Sequence, residues 1–129
     1  MPSAALKNAL QARLDLLQQL WERRDSDAIV RELYTETTEI AGAGSDVLYH
    51  GTAQLRELLA VLVNDSRGAS IRIDRLTALG DSAAYTWVTW SVLPLAGEAF
   101  SMKSLFVWGL VDGSWRVLAD MYAEGEIPA

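Results

Sequence analysis

Apolar residues recur every three or four positions at the start of the chain. Leu6, Leu10, Leu14, Leu17 and Trp21 form one stripe, with Lys7, Arg13, Glu22 and Arg23 around the rest, so the spacing predicts an amphipathic helix. Asp25, Ser26 and Asp27 are helix-start residues, and a second short helix carries Ile29, Val30 and Leu33 and closes on Tyr34. "TTEIAGAGSDVLYHG" reads as two short strands around a loop at Gly42 and Gly44. Gly51 and Thr52 open a third helix that buries Leu55, Leu58, Leu59 and Leu62 and stops at "NDSRG". From Ala69 the period shortens to that of strands. The strands are Ala69–Leu79, "AAYTWVTWSVL", Phe100–Val111 and Trp115–Tyr122, separated by turns at Gly80-Asp81-Ser82, Pro94 to Gly97, and Asp112-Gly113. Asp-Gly between apolar runs is a strong hairpin signal. Helices first and a meander afterwards predict one α+β domain over residues 1–129, in the order ααββαββββ.

Side chains alternate between the two faces of a strand. A two-residue loop at Asp112-Gly113 or Gly113-Ser114 puts Asp120 on the face of Leu105 and Val107, with Arg116, Leu118 and Tyr122. Trp115, Val117, Ala119 and Met121 then join Phe106 and Trp108. Both faces are largely apolar, and one layer of helices covers only one. An uncovered Phe106/Trp108/Trp115 face predicts a homodimer through it.

Composition removes several function classes. The net charge of −6, with no basic stripe, argues against nucleic acid as a partner. There are no cysteines and one histidine, His50, so neither a thiolate site nor a multi-histidine metal site is available within the chain. No metal or cofactor is implied. No apolar run has membrane-spanning length, and "MPSAALKNAL" lacks the pattern of a signal peptide. The expectation is a cytoplasmic protein without membrane contact. The "GAGS" loop is too short for a phosphate cradle, and no serine has a matched base.

The element order, with "LYTETTEIAGAGSDVLYHGTAQLRELL", "LGDSAAYTW" and "SLFVWGLVDGSWRVLADMY", resembles the nuclear-transport-factor-two-like superfamily. That group includes ketosteroid isomerases, scytalone dehydratase, SnoaL-like polyketide cyclases and the association domain of calmodulin-dependent kinase. The resemblance covers nearly the whole chain. It implies a cone in which a curved antiparallel sheet wraps the long first helix and leaves a pocket at one end. It further implies that the pocket face carries Val107, Leu118, Asp120 and Tyr122, with Tyr85, Trp87, Thr89 and Ser91 from the preceding strand.

The chain departs from the isomerases at all three of their acid–base positions. Their general-base aspartate falls on Gly42, their oxyanion-donating tyrosine near Leu17, and its partner acid near Val107. The SnoaL-like cyclases look to use an acid on the last strand, where Asp120 stands. Asp120 is therefore the candidate catalytic residue, since a partly desolvated carboxyl is raised toward neutral pH. The bland alternative is a structural acid paired with Lys103, Arg116 or the backbone. Tyr34, Tyr85 and Tyr122 are candidate donors to a ligand, and Trp21, Trp87, Val107 and Leu118 candidate walls; each also fits a plain core or surface role. His50 at a turn is a weaker candidate. The expected function is binding of a small apolar molecule, with cyclisation, isomerisation or dehydration as the chemistry. The rival from another class is a non-catalytic association module, favoured by a filled cone and an ion-paired Asp120.

Overall fold

The computed structural model describes residues 4–128. Helix α1 (Ala4–Glu22) buries Leu10, Leu14, Leu17, Leu20 and Trp21 on the expected stripe. It closes through Arg24 in the left-handed region (φ 55°). The Arg24 and Asp25 amides donate to the carbonyls of Trp21 and Leu20 at 2.9 and 3.0 Å, which satisfies groups a helix end otherwise leaves bare. The Asp25 carboxylate then accepts the Ala28 amide at 3.1 Å and caps α2 (Ser26–Leu33). Strand β1 (Tyr34–Gly42) follows with no loop, so Tyr34 both caps α2 and starts the strand. Strand β2 (Leu48–His50) and helix α3 (Thr52–Asn64) come next.

Only Asp65 separates α3 from β3 (Ser66–Ala78). The strand therefore starts ahead of the expected Ala69, within "NDSRG". Strands β4 (Ala83–Pro94), β5 (Phe100–Val111) and β6 (Ser114–Glu124) complete the order. Asp112 and Gly113 both have positive φ, 51° and 81°, the backbone of the two-residue turn that matches strand twist.

The six strands form one curved sheet in the order β2-β1-β6-β5-β4-β3. Most neighbours are antiparallel, but β1 runs parallel to β6, pairing Ile40 with Asp120 and Gly42 with Tyr122. The helices pack on the inner face. Phe106 and Trp108, 1 % and 0 % exposed, lie in that core with Val88, Val117 and Ala84. This corrects the expected homodimer face: Phe106 and Trp108 are covered by the chain itself, and Trp115 packs partly buried against the same core.

The reversal traces to one residue. From the hairpin, Val111 pairs with Ser114 and Trp108 with Val117; beyond that, Val107 pairs with Ala119, and Leu118 is left over as a β-bulge. Uninterrupted pairing would set Asp120 opposite Leu105. The bulge sets it opposite Phe106, and a shift of one residue exchanges faces. Two contacts hold the extra residue. Leu118 lies over Gly109, where an added Cβ would stand 2.7 Å from Leu118 Cδ1. On the other side, the buried Thr38 hydroxyl donates to the Val117 carbonyl at 2.6 Å, where β1 is itself irregular between Tyr34 and Glu39.

Candidate functional site

A row of aromatic rings runs through the inside of the sheet. Trp21 and Trp90 lie 5.4 Å apart, Trp90 and Phe106 6.0 Å, and Phe106 and Trp108 5.8 Å, the latter two pairs edge to face. Each buried indole N–H meets a hydroxyl. Trp21 donates to Ser66 at 2.6 Å, Trp90 to Ser104 at 3.0 Å and Trp108 to Thr86 at 3.0 Å. Ser66, Ser104 and Thr86 are all buried, so these bonds answer polar groups that would otherwise be costly in a core.

The row stops short of filling the cone. A cavity of about 280 Å³ remains between α3 and the inner sheet face, near the lower end of small-molecule sites, about 300 Å³ upward. Leu58, Leu59 and Leu62 of α3 form one wall, and Trp90, Val92, Met102 and Ser104 of β4 and β5 form another. Exposed Phe100 and Asp65 mark the mouth.

Asp120 lines this cavity at 8 % exposure, and its Oδ1 has no hydrogen-bond partner. Burial pushes its pKa up to about 7, against a smaller opposing pull from the Ser104 hydroxyl. No cation among the described residues offsets the burial. The ion pairs among the described residues are Arg31–Glu32, Arg56–Asp27 and Arg72–Asp74. Lys103 pairs with Ala123 on the opposite face. Arg116 donates to the Arg31 and Tyr34 carbonyls at 2.6 and 3.1 Å. Arg13 donates to the carbonyls of Trp115 and Glu32.

Two tyrosines flank the acid. Tyr34 is buried, and burial followed by the charge of Asp120 raises its pKa strongly. Tyr122 is raised too, by burial and then by Tyr49 and Asp120, so both hydroxyls stay protonated as donors. Tyr122 lies over Gly42, whose added Cβ would stand 2.7 Å from the ring. The position that the resemblance gives to the isomerases' base is thus covered by this ring.

Of the candidates read from sequence, Trp21, Tyr34, Asp120 and Tyr122 come together around the cavity. Tyr85, Trp87, Val107 and Leu118 do not. Tyr85 pairs with Val107 and Trp87 with Leu105 on the outer face, and Leu118 is the bulge over Gly109. Their expected place in the pocket is corrected by the same change of face that moved Asp120 inward. His50 is exposed, its amide donating to Gln54 Oε1 at 3.0 Å. Ile40, Trp90, Val92, Met102 and Ser104 were missed. Lys103 was the available signal: it shares a face with Leu105 and Val107, whereas Phe106, Ser104 and Met102 carry no charge.

The family profile of the SnoaL-like domain matches residues 15–118. The chain belongs to the SnoaL-like domain family. Solved structures share the fold at low identity. A domain of unknown function with a cystatin-like fold from Nostoc punctiforme is 15% identical, with a TM-score of 0.76 over 98% of this chain and 81% of that one. A putative calcium/calmodulin-dependent protein kinase II association domain from Xanthomonas campestris is 14% identical, TM-score 0.77, over 96% and 89%. A ketosteroid isomerase-like protein from Erwinia carotovora is 15% identical, TM-score 0.75, over 93% and 96%. No curated protein matches the sequence at a significant level. No described helix of this SnoaL-like chain is long and apolar enough to cross a membrane.

Proposed function

We infer that this SnoaL-like protein binds a small, largely apolar molecule in the cone and exchanges a proton with it through Asp120. The observation that carries this reading is the unpartnered, buried Asp120 Oδ1 at an apolar cavity. A purely structural acid in such a place is ion-paired or has both oxygens hydrogen-bonded, whereas Asp120 has the Ser104 hydroxyl and one oxygen left without a partner. A carboxyl with a pKa of about 7 is instead suited to give and take a proton near neutral pH. Tyr34 and Tyr122 orient the polar group of the ligand, and Trp21 and Trp90 form apolar walls. Cyclisation, isomerisation and dehydration all fit one such acid–base group. The open cavity and unpaired acid weigh against a purely associative role, although one structural neighbour is a putative association domain.

The test is a thermal-shift screen of small apolar molecules bearing one polar group, followed by comparison with Asp120→Asn. Ligands should raise the melting temperature of the wild type. Any turnover should fall about a hundredfold or more in the variant, the scale of a lost general acid or base. Full turnover by Asp120→Asn would falsify the catalytic assignment.

Self-association belongs to the outer face. Trp87 and Met121, 37 % and 59 % exposed, flank Leu105 in adjacent strands, next to Tyr85 and Val107. A contiguous apolar patch of this kind marks an interface, and a two-fold dimer buries it against itself. Sedimentation velocity should give a dimer at micromolar concentration and a monomer for Met121→Lys. A monomeric wild type rejects the dimer.

A further inference from the structure

Among the described residues, the cavity walls carry acids and aromatic rings but no base. Asp120 and Asp65 line it with Trp21, Tyr34, Trp90, Phe100 and Tyr122, and no lysine, arginine or histidine is among the lining residues. The indole N–H groups of Trp21 and Trp90 are taken by Ser66 and Ser104, so neither is free for a carbonyl or an anion. Ser66 in turn donates to the Leu62 carbonyl at 3.3 Å. What is left without a partner is an acceptor, the buried Oδ1 of Asp120, on a carboxyl that lines the cavity at 8 % exposure.

An unpaired buried acid among aromatic rings is the complement of a cation. A carboxylate makes its strongest bonds to charged N–H donors, and aromatic rings attract ammonium groups, most where water is excluded. Resting on the reading of the cone as a ligand site, we propose that its ligand is a small apolar amine, whose protonated nitrogen bonds to the Asp120 carboxylate among the rings of Trp21, Trp90, Tyr34 and Tyr122. Anionic ligands are disfavoured by both acids and by the chain's net charge of −6.

The proposal ties binding to protons. An ammonium favours the ionised carboxylate, so binding near neutral pH displaces the proton held by Asp120. The titratable groups facing Asp120 are Tyr34 at the α2–β1 junction and Tyr122 on β6, with Tyr49 of β2 behind Tyr122. Asp65 lies at the mouth after α3. Lys103 of β5 faces the other way, and Arg13 and Arg116 bind backbone carbonyls.

Isothermal titration of the full chain with phenethylamine, 2-phenylethanol and phenylacetate tests this, because the three probes share a skeleton and differ in charge. At about pH 8 the amine should bind roughly tenfold or more tightly than the alcohol, with phenylacetate weakest. Its affinity should fall roughly tenfold for each pH unit below the carboxyl's pKa. In Asp120→Asn the amine should lose its advantage over the alcohol. An alcohol that matches or exceeds the amine, yet weakens in Asp120→Asn, overturns the amine and leaves the ligand site standing. No binding of any probe to folded protein overturns the amine proposal and counts against the cone as a ligand site.

Discussion

Between about pH 4 and pH 8 the chain should lose roughly 4 kcal/mol of unfolding free energy through Asp120 alone. The sign follows from the two states. In the folded chain the carboxyl holds its proton up to about 7, against an ordinary value of 3.8. Within that window the folded chain binds a proton that the unfolded chain has released, so raising the pH favours unfolding. Below the window both states are protonated and the group costs nothing. Above it both are ionised and the full penalty applies. Asp120→Asn lacks this titration. Urea denaturation of both proteins across the range should show their stability difference moving by that amount, in favour of the variant at high pH. At about 3–5 °C per kcal/mol for a chain of this size, the same change should also be visible in melting curves. Parallel curves would mean that Asp120 ionises as an exposed acid does, and the unpaired buried carboxyl would have to be abandoned.

Trp108→Ala should cost about 3–5 kcal/mol, and Trp87→Ala less than about 1 kcal/mol. Trp108 is fully buried and stands edge to face against Phe106. Its removal opens a void and strips the buried Thr86 hydroxyl of its indole donor. Trp87 lies on the outer face and is 37 % exposed. Chemical denaturation at concentrations low enough to keep the protein monomeric compares the two directly. The reverse ranking would turn the sheet inside out, with Trp87 in the core and Asp120 outside the cavity.

The elements were legible because each is written locally. The stripe from Leu6 to Trp21, the cap at Asp25 and the Asp112-Gly113 turn all stand within a few residues of the structure they cause. The shared face of Leu105 and Val107 was legible too, by alternation along one strand, and the resemblance implied that Tyr85 and Trp87 lie on that face, where they pair with Val107 and Leu105. Which face holds the cavity was not. It depends on Leu118 bulging over Gly109 within the hairpin and on Thr38 bonding the Val117 carbonyl, the second a contact between strands far apart in sequence. With both faces largely apolar, Lys103 alone on its strand marked the outer one, and hydrophobicity did not reveal the slip. Four candidate positions followed Asp120 to the wrong side: Tyr85, Trp87, Val107 and Leu118. Trp21 and Tyr34 escaped because their places depend on helices and not on strand parity. The parallel pairing of β1 with β6, which brings Ile40 beside Asp120, likewise leaves no local mark.

The tilted pair of Trp21 and Trp90, 5.4 Å apart at 55°, also makes this protein its own optical instrument. Rings fixed in one asymmetric packing give near-ultraviolet circular dichroism that vanishes when packing loosens. Both rings line the cavity, and both are held by hydroxyl bonds. Occupancy of the cone can therefore be followed by the dichroism and emission of native tryptophans, without label, probe or assay of turnover.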